Sequence, residues 1–175
     1  RQPNAVTCGP TCLHAVYQYF GLSLSLARVI QEVRQFRGGG TLAALLGIHA
    51  LQQGFNAELY TFNLAAFDPT WFGRRKVDLR RKLKAQLRFK GGAKLRTATQ
   101  AYLEFLELGG KIHFQDLTPR LVQRFLSRGQ PILTGLSATY LYGCMREHGE
   151  PSVADDVRGE SAGHFVVLCG YHSEH

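Results

Sequence analysis

The start of the chain places a cysteine directly ahead of a stretch with the composition of a buried helix. Cys8 is followed by residues 13–20, in which apolar and aromatic side chains predominate, and Gly21 ends the run. Such a run closed by glycine predicts a helix packed into a core. A thiol at the start of a helix lies at the positive end of the helix dipole, close to backbone N–H groups that favour the nucleophilic thiolate. The pattern therefore predicts a reactive cysteine held by a buried helix.

A histidine near the other end of the chain can complete a catalytic pair with that cysteine. His164 follows Gly163 and opens the apolar run 165–168, which predicts a buried strand with an imidazole at its mouth. A cysteine nucleophile needs a base within hydrogen-bond reach, and the two are usually distant in sequence. Gln2, upstream of Cys8, can donate its side-chain N–H to a developing oxyanion. The alternative is that Cys8 is a core thiol and His164 a strand-end residue bonded to backbone.

Small and polar residues beside this pair are candidates for contact with a substrate. Gly9 follows the cysteine, and Gly163 precedes the histidine at a point where a small residue permits close approach. Ser137 ends a predicted strand, residues 130–137, that leads toward the pair. We therefore predict substrate contacts at Gly9, Ser137 and Gly163.

The arrangement resembles the papain-like cysteine peptidases, in particular the bacteriocin-processing peptidases that cut after double-glycine leaders, and their stand-alone relatives. The matching residues are Gln2, Cys8 with Gly9, residues 11–13 and residues 163–167. The resemblance implies a papain-like fold in which Cys8 is the nucleophile, His164 the general base and Gln2 the oxyanion-hole residue. It also implies an Asp or Asn that orients the histidine some fifteen residues further on. We therefore expect the chain to lack the C-terminal end of this domain; Asp155 and Asp156 are the in-chain candidates for that role.

Three functions remain open at this point. A cysteine peptidase, for example one that trims a leader after small residues, is the leading hypothesis. An amidase or acyltransferase would use the same pair, because thioester chemistry does not fix the acceptor. A catalytically silent papain-like module that binds a peptide is the third.

Composition favours one compact domain over residues 1–175, since 45% of the residues are hydrophobic and only 19% are charged. No apolar run approaches the ~20 residues of a membrane span. The four cysteines are too scattered for a disulfide scaffold, so we expect a reducing compartment, the cytoplasm. Cys12 and Cys169 lie in apolar runs and are predicted to be core thiols. Cys8, Cys12 and His14 lack the second ligand pair of a zinc site, so we predict no metal and no cofactor.

Positive charge is concentrated in residues 74–96, which hold eleven of the 21 Lys and Arg and one acid, Asp78. Leucines recur there every four residues, at Leu79, Leu83 and Leu87, and predict an amphipathic helix with a basic outer face, followed by a break at Gly91 and Gly92. That face is either solvated or docks an acidic peptide, an anionic surface or nucleic acid. No nucleic-acid motif accompanies the charge, so we expect a peptide or protein partner, including an acidic one.

The remaining pattern predicts an α+β fold, with helices gathered in the first part and strands in the second. A helical lobe carrying Cys8 would then face an antiparallel sheet lobe carrying His164. His49 lies within an apolar helix and is predicted to be either a satisfied core histidine or a half-exposed one. The predicted helices are 23–36, 42–53, 97–108 and a segment starting at Pro119; the predicted strands are 56–62, 111–114 and 130–137; residues 63–73 and 143–162 are predicted to be irregular.

Overall fold

A computed structural model describes residues 3, 6–36, 40–73, 77–149 and 153–171. The described chain is a mixed α+β structure, as predicted. Its helices are α1 Cys8–Tyr19, α2 Leu26–Glu32, α3 Ala43–Gln52, α4 Leu79–Gln86, α5 Ala93–Glu107, α6 Pro119–Leu126 and α7 Ala138–Tyr142, with a 3-10 helix at Pro69–Phe72. Its strands are β1 Glu58–Thr61, β2 Lys111–Phe114, β3 Ile132–Ser137, β4 Glu147–His148, β5 Val153–Ala154 and β6 Gly163–Leu168.

The chain divides into two compact units, which are described separately. The first unit comprises residues 1–31 and 122–175, and the second comprises residues 32–121. Cys8 and His164 both belong to the first unit. The expected division into a helical lobe with the cysteine and a sheet lobe with the histidine is therefore not the division that the contacts show.

In the first unit, α1 packs against β6 and β3. The helix buries Leu13 and Tyr17, and the chain turns away at Gly21, whose φ of 78° suits glycine. β3 and β6 are antiparallel, with a register that runs from Ile132 opposite Leu168 to Ser137 opposite Gly163. The sequence predicted both strands because each is a short apolar run bounded by turn residues.

In the second unit, helices surround a pair of parallel strands. β1 pairs with β2 in a parallel register, so the expectation that the strands form one antiparallel sheet is wrong for this pair. Its hydrophobic core is built from Ala44, Leu45, Ile48, Ala66, Phe67, Leu83, Ala98, Ala101, Tyr102, Leu103, Phe105 and Ile112. His49 is buried at the edge of α3 and its Nε2 lies 3.0 Å from Glu32 Oε2, as expected of a satisfied core histidine.

Two predicted helices are shorter than the pattern suggested. The helix predicted over residues 23–36 ends at Glu32, because the backbone of residues 34–36 bonds to Gly40 and Thr41 instead. The basic helix α4 ends at Gln86 and α5 starts at Ala93. The predicted break at Gly91 and Gly92 is confirmed, since Gly92 has a φ of 113° that no helix contains. Residues 74–76, at the start of the predicted basic helix, lie outside the described residues.

Candidate functional site

Cys8 is the first residue of α1 and not, as predicted, a residue ahead of the helix. The first intrahelical backbone bond runs from the Thr11 N–H to the Thr7 carbonyl, at 3.0 Å. The N–H groups of Cys8 and Gly9 therefore precede the helical ladder, and Pro10 contributes no N–H at all. Cys8 is 8% exposed. The nucleophile candidate thus has two backbone donors beside it and little contact with solvent.

Two hydrogen bonds fix the direction in which α1 crosses the strands of its unit. The Cys12 thiol donates to the Phe165 carbonyl at 3.2 Å, so the first half of the helix lies against the start of β6. At the other end, the Tyr19 hydroxyl donates to the Gly129 carbonyl at 2.9 Å. Gly129 precedes β3, whose first residue, Ile132, pairs with the last residue of β6, Leu168. The helix and β6 therefore run in the same sense.

Because α1 and β6 run in the same direction, Cys8 and His164 lie toward the same end of the unit. Cys8 lies one helical turn before Cys12, a rise of about 6 Å. His164 lies one residue before Phe165, about 3.3 Å along the strand. Both steps lead toward the same end of the unit, so the start of α1 and the start of β6 are neighbours. Between described residues, no hydrogen bond joins the Cys8 thiol to the His164 ring.

The mouth of β6 is tied to the end of β3 through hydroxyl groups. The hydroxyls of Ser137 and Ser161 share a hydrogen bond of 2.6 Å, and Ser137 Oγ also accepts the Tyr140 N–H as the cap of α7. Ser137 thus has a structural role that its prediction as a substrate contact did not include. Gly163, opposite Ser137, is exposed, and a Cβ built on it would meet nothing within 4 Å. Open space therefore adjoins His164.

The short helix α7 is pinned to the approach to His164, and the sequence did not predict it. The Ala138 N–H donates to the Ala162 carbonyl at 2.8 Å, and the Ala162 N–H donates to Thr139 Oγ1 at 3.2 Å. Tyr140 and Tyr142 project from this helix and are 91% and 66% exposed. The serine cap followed by helix-compatible residues was the available signal, but it is weak for so short a segment.

Neither in-chain candidate for an orienting carboxylate is bonded to His164 among the described residues. The Asp155 carboxylate accepts the Arg158 backbone N–H and the Arg158 Nε, at 2.8 and 2.6 Å, and the Val157 N–H at 3.0 Å. The backbone N–H and guanidinium of Arg158 hold the pKa of Asp155 below its usual value. Asp155 therefore closes a local turn, and the Asp156 backbone carbonyl accepts from the Arg146 guanidinium.

The four cysteines are free thiols in different surroundings. Burial, together with the neighbouring Cys8, raises the pKa of Cys12, whose thiol is already engaged with Phe165. Cys12 therefore has the character of a structural thiol, but it is half-buried and not, as predicted, within the core. The prediction for Cys169 is wrong: β6 ends at Leu168, and Cys169 beyond it is exposed.

Gln2, the predicted oxyanion-hole residue, lies outside the described residues. Within the described ranges, no cluster of three or more His, Cys, Asp or Glu side chains could hold a metal ion. Likewise, no described helix is both long and apolar enough to cross a bilayer.

Comparison of the chain with protein-family models, curated proteins and solved structures finds no match.

Proposed function

We propose that this chain is a papain-like cysteine peptidase that hydrolyses peptide bonds through Cys8 and His164. The observation that carries the proposal is the common direction of α1 and β6, fixed by the bonds Cys12–Phe165 and Tyr19–Gly129. A nucleophile and a base that are far apart in sequence need such a convergence to act together. Catalytic hydrogen bonds also often tighten only when substrate binds, so the lack of a direct bond between described atoms is compatible with the proposal.

In the proposed reaction, His164 accepts the Cys8 proton and the thiolate attacks the carbonyl carbon of the scissile peptide bond. The resulting oxyanion accepts hydrogen bonds from the Cys8 backbone N–H and the Gln2 side-chain amide. The C–N bond breaks as His164 returns the proton to the leaving amine. Water, deprotonated by His164, then cleaves the thioester, which releases the new carboxylate and regenerates the thiol.

The surroundings of the pair support a peptide as substrate. Gly163 at the strand mouth has no side chain to obstruct an extended backbone, and Tyr140 and Tyr142 provide exposed aromatic surface near it. Gly9, the other glycine predicted to contact substrate, is buried at the start of α1. Small residues at the cleavage point, as in a double-glycine leader, would suit this opening. The proposal assigns the chain to the cytoplasm, because a nucleophilic thiol remains free in a reducing compartment.

Labelling of the cysteines tests the proposal sharply, because burial and activation predict opposite orders. Cys8 is buried whereas Cys144 and Cys169 are exposed. Accessibility alone would make Cys8 the slower to react with iodoacetamide, whereas an activated thiolate makes it the fastest near neutral pH. We expect His164→Ala to slow labelling of Cys8 by at least about tenfold, and the control variant His148→Ala, at an exposed histidine of β4, to leave the rate unchanged.

A peptide library analysed by mass spectrometry gives the second arm of the test. We expect cleavage by the wild type and none by Cys8→Ala, while Cys144→Ala retains full activity. Addition of amine acceptors distinguishes hydrolysis from acyl transfer: a free acid product supports a peptidase, and an amide product in its place would assign the chain as an acyltransferase.

The silent peptide-binding module is the alternative that one observation favours, namely the 8% exposure of Cys8. A buried core thiol would label more slowly than Cys144 in both the wild type and His164→Ala. That result, together with peptide binding unaffected by Cys8→Ala, would exclude the peptidase.

A further inference from the structure

The turn between α4 and α5 carries a phenyl ring that is almost entirely exposed. Phe89 is 88% exposed, and residues 88–94 around it are all exposed. The N–H groups of Phe89 and Lys90 both donate to the Gln86 carbonyl, at 3.0 and 2.9 Å, which holds the ring at the end of the helix. A single exposed aromatic residue is common on protein surfaces, so the charge beside this ring, and not its exposure alone, is what distinguishes the turn.

Packing of the two helices prevents Phe89 from turning inward. Leu83 of α4 is fully buried, and Gln86 donates its side-chain N–H to the Ala66 carbonyl at 3.1 Å. α4 packs against α5, and the chain passes between them through Gly92 at a φ of 113°. The buried leucine and the glutamine anchor therefore fix which face of α4 looks inward, and the turn projects beyond that face.

Positively charged residues lie on both sides of Phe89 along the chain. Arg88 and Lys90 flank Phe89, and Lys94 and Arg96 follow in the first turn of α5. Within the described residues none of these four cations has a carboxylate within the 4.0 Å of an ion pair, whereas Lys84, further back on α4, lies 3.6 Å from Glu107. We call these four cations and Phe89 the basic tip.

An acid near the basic tip is already engaged. Asp68 Oδ1 accepts the Thr70 hydroxyl at 2.5 Å and the Thr70 N–H at 2.9 Å. Those bonds, and more weakly the charges of Lys82 and Lys90, hold the pKa of Asp68 below its usual value. Asp68 therefore stays ionised and moderates the field of Lys90, leaving Arg88, Lys94 and Arg96 as the main attraction for an anion.

We propose that the basic tip docks on an anionic lipid surface, with Phe89 in the boundary between headgroups and acyl chains and the four cations over anionic headgroups. Peripheral membrane proteins commonly attach to anionic bilayers through an inserted aromatic side chain together with neighbouring Lys and Arg residues. A flat surface needs no groove to meet the side chains of an exposed turn. The proposal does not depend on the activity of Cys8.

The two other polyanions fit the basic tip less well. An acidic peptide satisfies the cations but provides no apolar layer for the Phe89 ring. Single-stranded nucleic acid stacks successive bases on successive aromatic platforms, and residues 77–96 carry one aromatic residue, Phe89. Both polyanions are nevertheless outcomes that the experiment must distinguish.

Binding of the full chain to vesicles tests the proposal. Phosphatidylcholine vesicles with and without phosphatidylglycerol are titrated at low and high salt. We expect binding to the anionic vesicles alone, and weaker binding at high salt because exposed charges are screened. The tip variant R88Q/K90Q/K94Q/R96Q should bind on the order of 10³-fold more weakly. The control variant R28Q/R120Q/R124Q/R128Q removes the same number of charges elsewhere and should bind within about threefold of the wild type.

The aromatic contribution has its own variants. Phe89→Ser should weaken binding about tenfold, while Leu117→Ser, at another exposed apolar residue, should not. Phe89→Trp keeps an aromatic ring and should show a blue-shifted emission on addition of anionic vesicles, compared with the wild type that contains only Trp71.

Any of four results would overturn the proposal. These are equal binding to both kinds of vesicle, an equal loss in the tip and control variants, no shift in Phe89→Trp emission, or tighter binding of soluble polyglutamate or oligouridylate that requires the four cations but not Phe89. The last result would assign the basic tip to an acidic peptide or to RNA.

Discussion

At the scale of single residues, the ring of Phe105 packs against two glycines, Gly47 and Gly110, where a side chain would collide with it. Phe105 is 1% exposed, and a Cβ at Gly110 would lie 2.5 to 2.7 Å from three of its ring atoms. We expect Gly110→Ala to lower the free energy of unfolding by about 1–3 kcal/mol, because the ring must leave its rotamer or the backbone must shift. Gly91→Ala, where nothing lies within 4 Å, is the matched control. Urea denaturation measures both, and equal midpoints would contradict the prediction.

Cys12 allows a second prediction at this scale, on pH. Burial raises its pKa above the ordinary 9.0, and the nearby Cys8 raises it further. Between the unfolded and the folded pKa the native state holds the proton more firmly, so the free energy of unfolding falls as pH rises from about 9. Cys12→Ala should remove this part of the alkaline loss. Denaturation at a series of pH values tests it, and parallel curves for the two proteins would be evidence against it.

At the scale of secondary-structure elements, α4 begins at a side-chain cap. Asp78 accepts the Arg81 N–H at 3.1 Å, and its charge lies at the positive end of the helix dipole. We expect Asp78→Ala to destabilise the protein by about 1 kcal/mol and Asp78→Asn to restore most of that loss. Thermal unfolding of the three proteins measures the effect. Equal destabilisation by Ala and Asn would assign the effect to charge and not to the cap.

Elements that depend on local sequence were predicted well. The strand Lys111–Phe114 has the predicted bounds, and α3 differs from its prediction by one residue at each end, because apolar spacing and terminal glycines define both. α7 and the 3-10 helix Pro69–Phe72 were missed. α7 depends on bonds to Ser161 and Ala162, which lie more than twenty positions away, and no local pattern contains them.

At the scale of the whole molecule, the sequence predicted the positions of helices and strands better than it predicted how the strands pair. It predicted an α+β chain, which the described residues confirm. The meeting of Cys8 with His164 stays a prediction, although α1 packs against β6. It did not predict the parallel pairing of β1 with β2, because the sequence of a short apolar strand does not specify whether its partner runs parallel or antiparallel. Nor could it show that Phe89 is exposed, since the sequence of a basic segment does not indicate whether its one aromatic residue is buried or exposed.

The two compact units lead to a last prediction, on how stability is distributed. Phe67 is 2% exposed and lies edge-to-face with Tyr102 in the core of residues 32–121. We expect Phe67→Leu to cost about 1–2 kcal/mol and to accelerate amide hydrogen exchange in α3 and α5 roughly tenfold, with a smaller effect in β3 and β6. Leu13→Val, in the other unit, should show the reverse order. If each substitution accelerated exchange equally in all four elements, the chain would open as one cooperative body, because only a shared opening reaction would transmit a local loss everywhere.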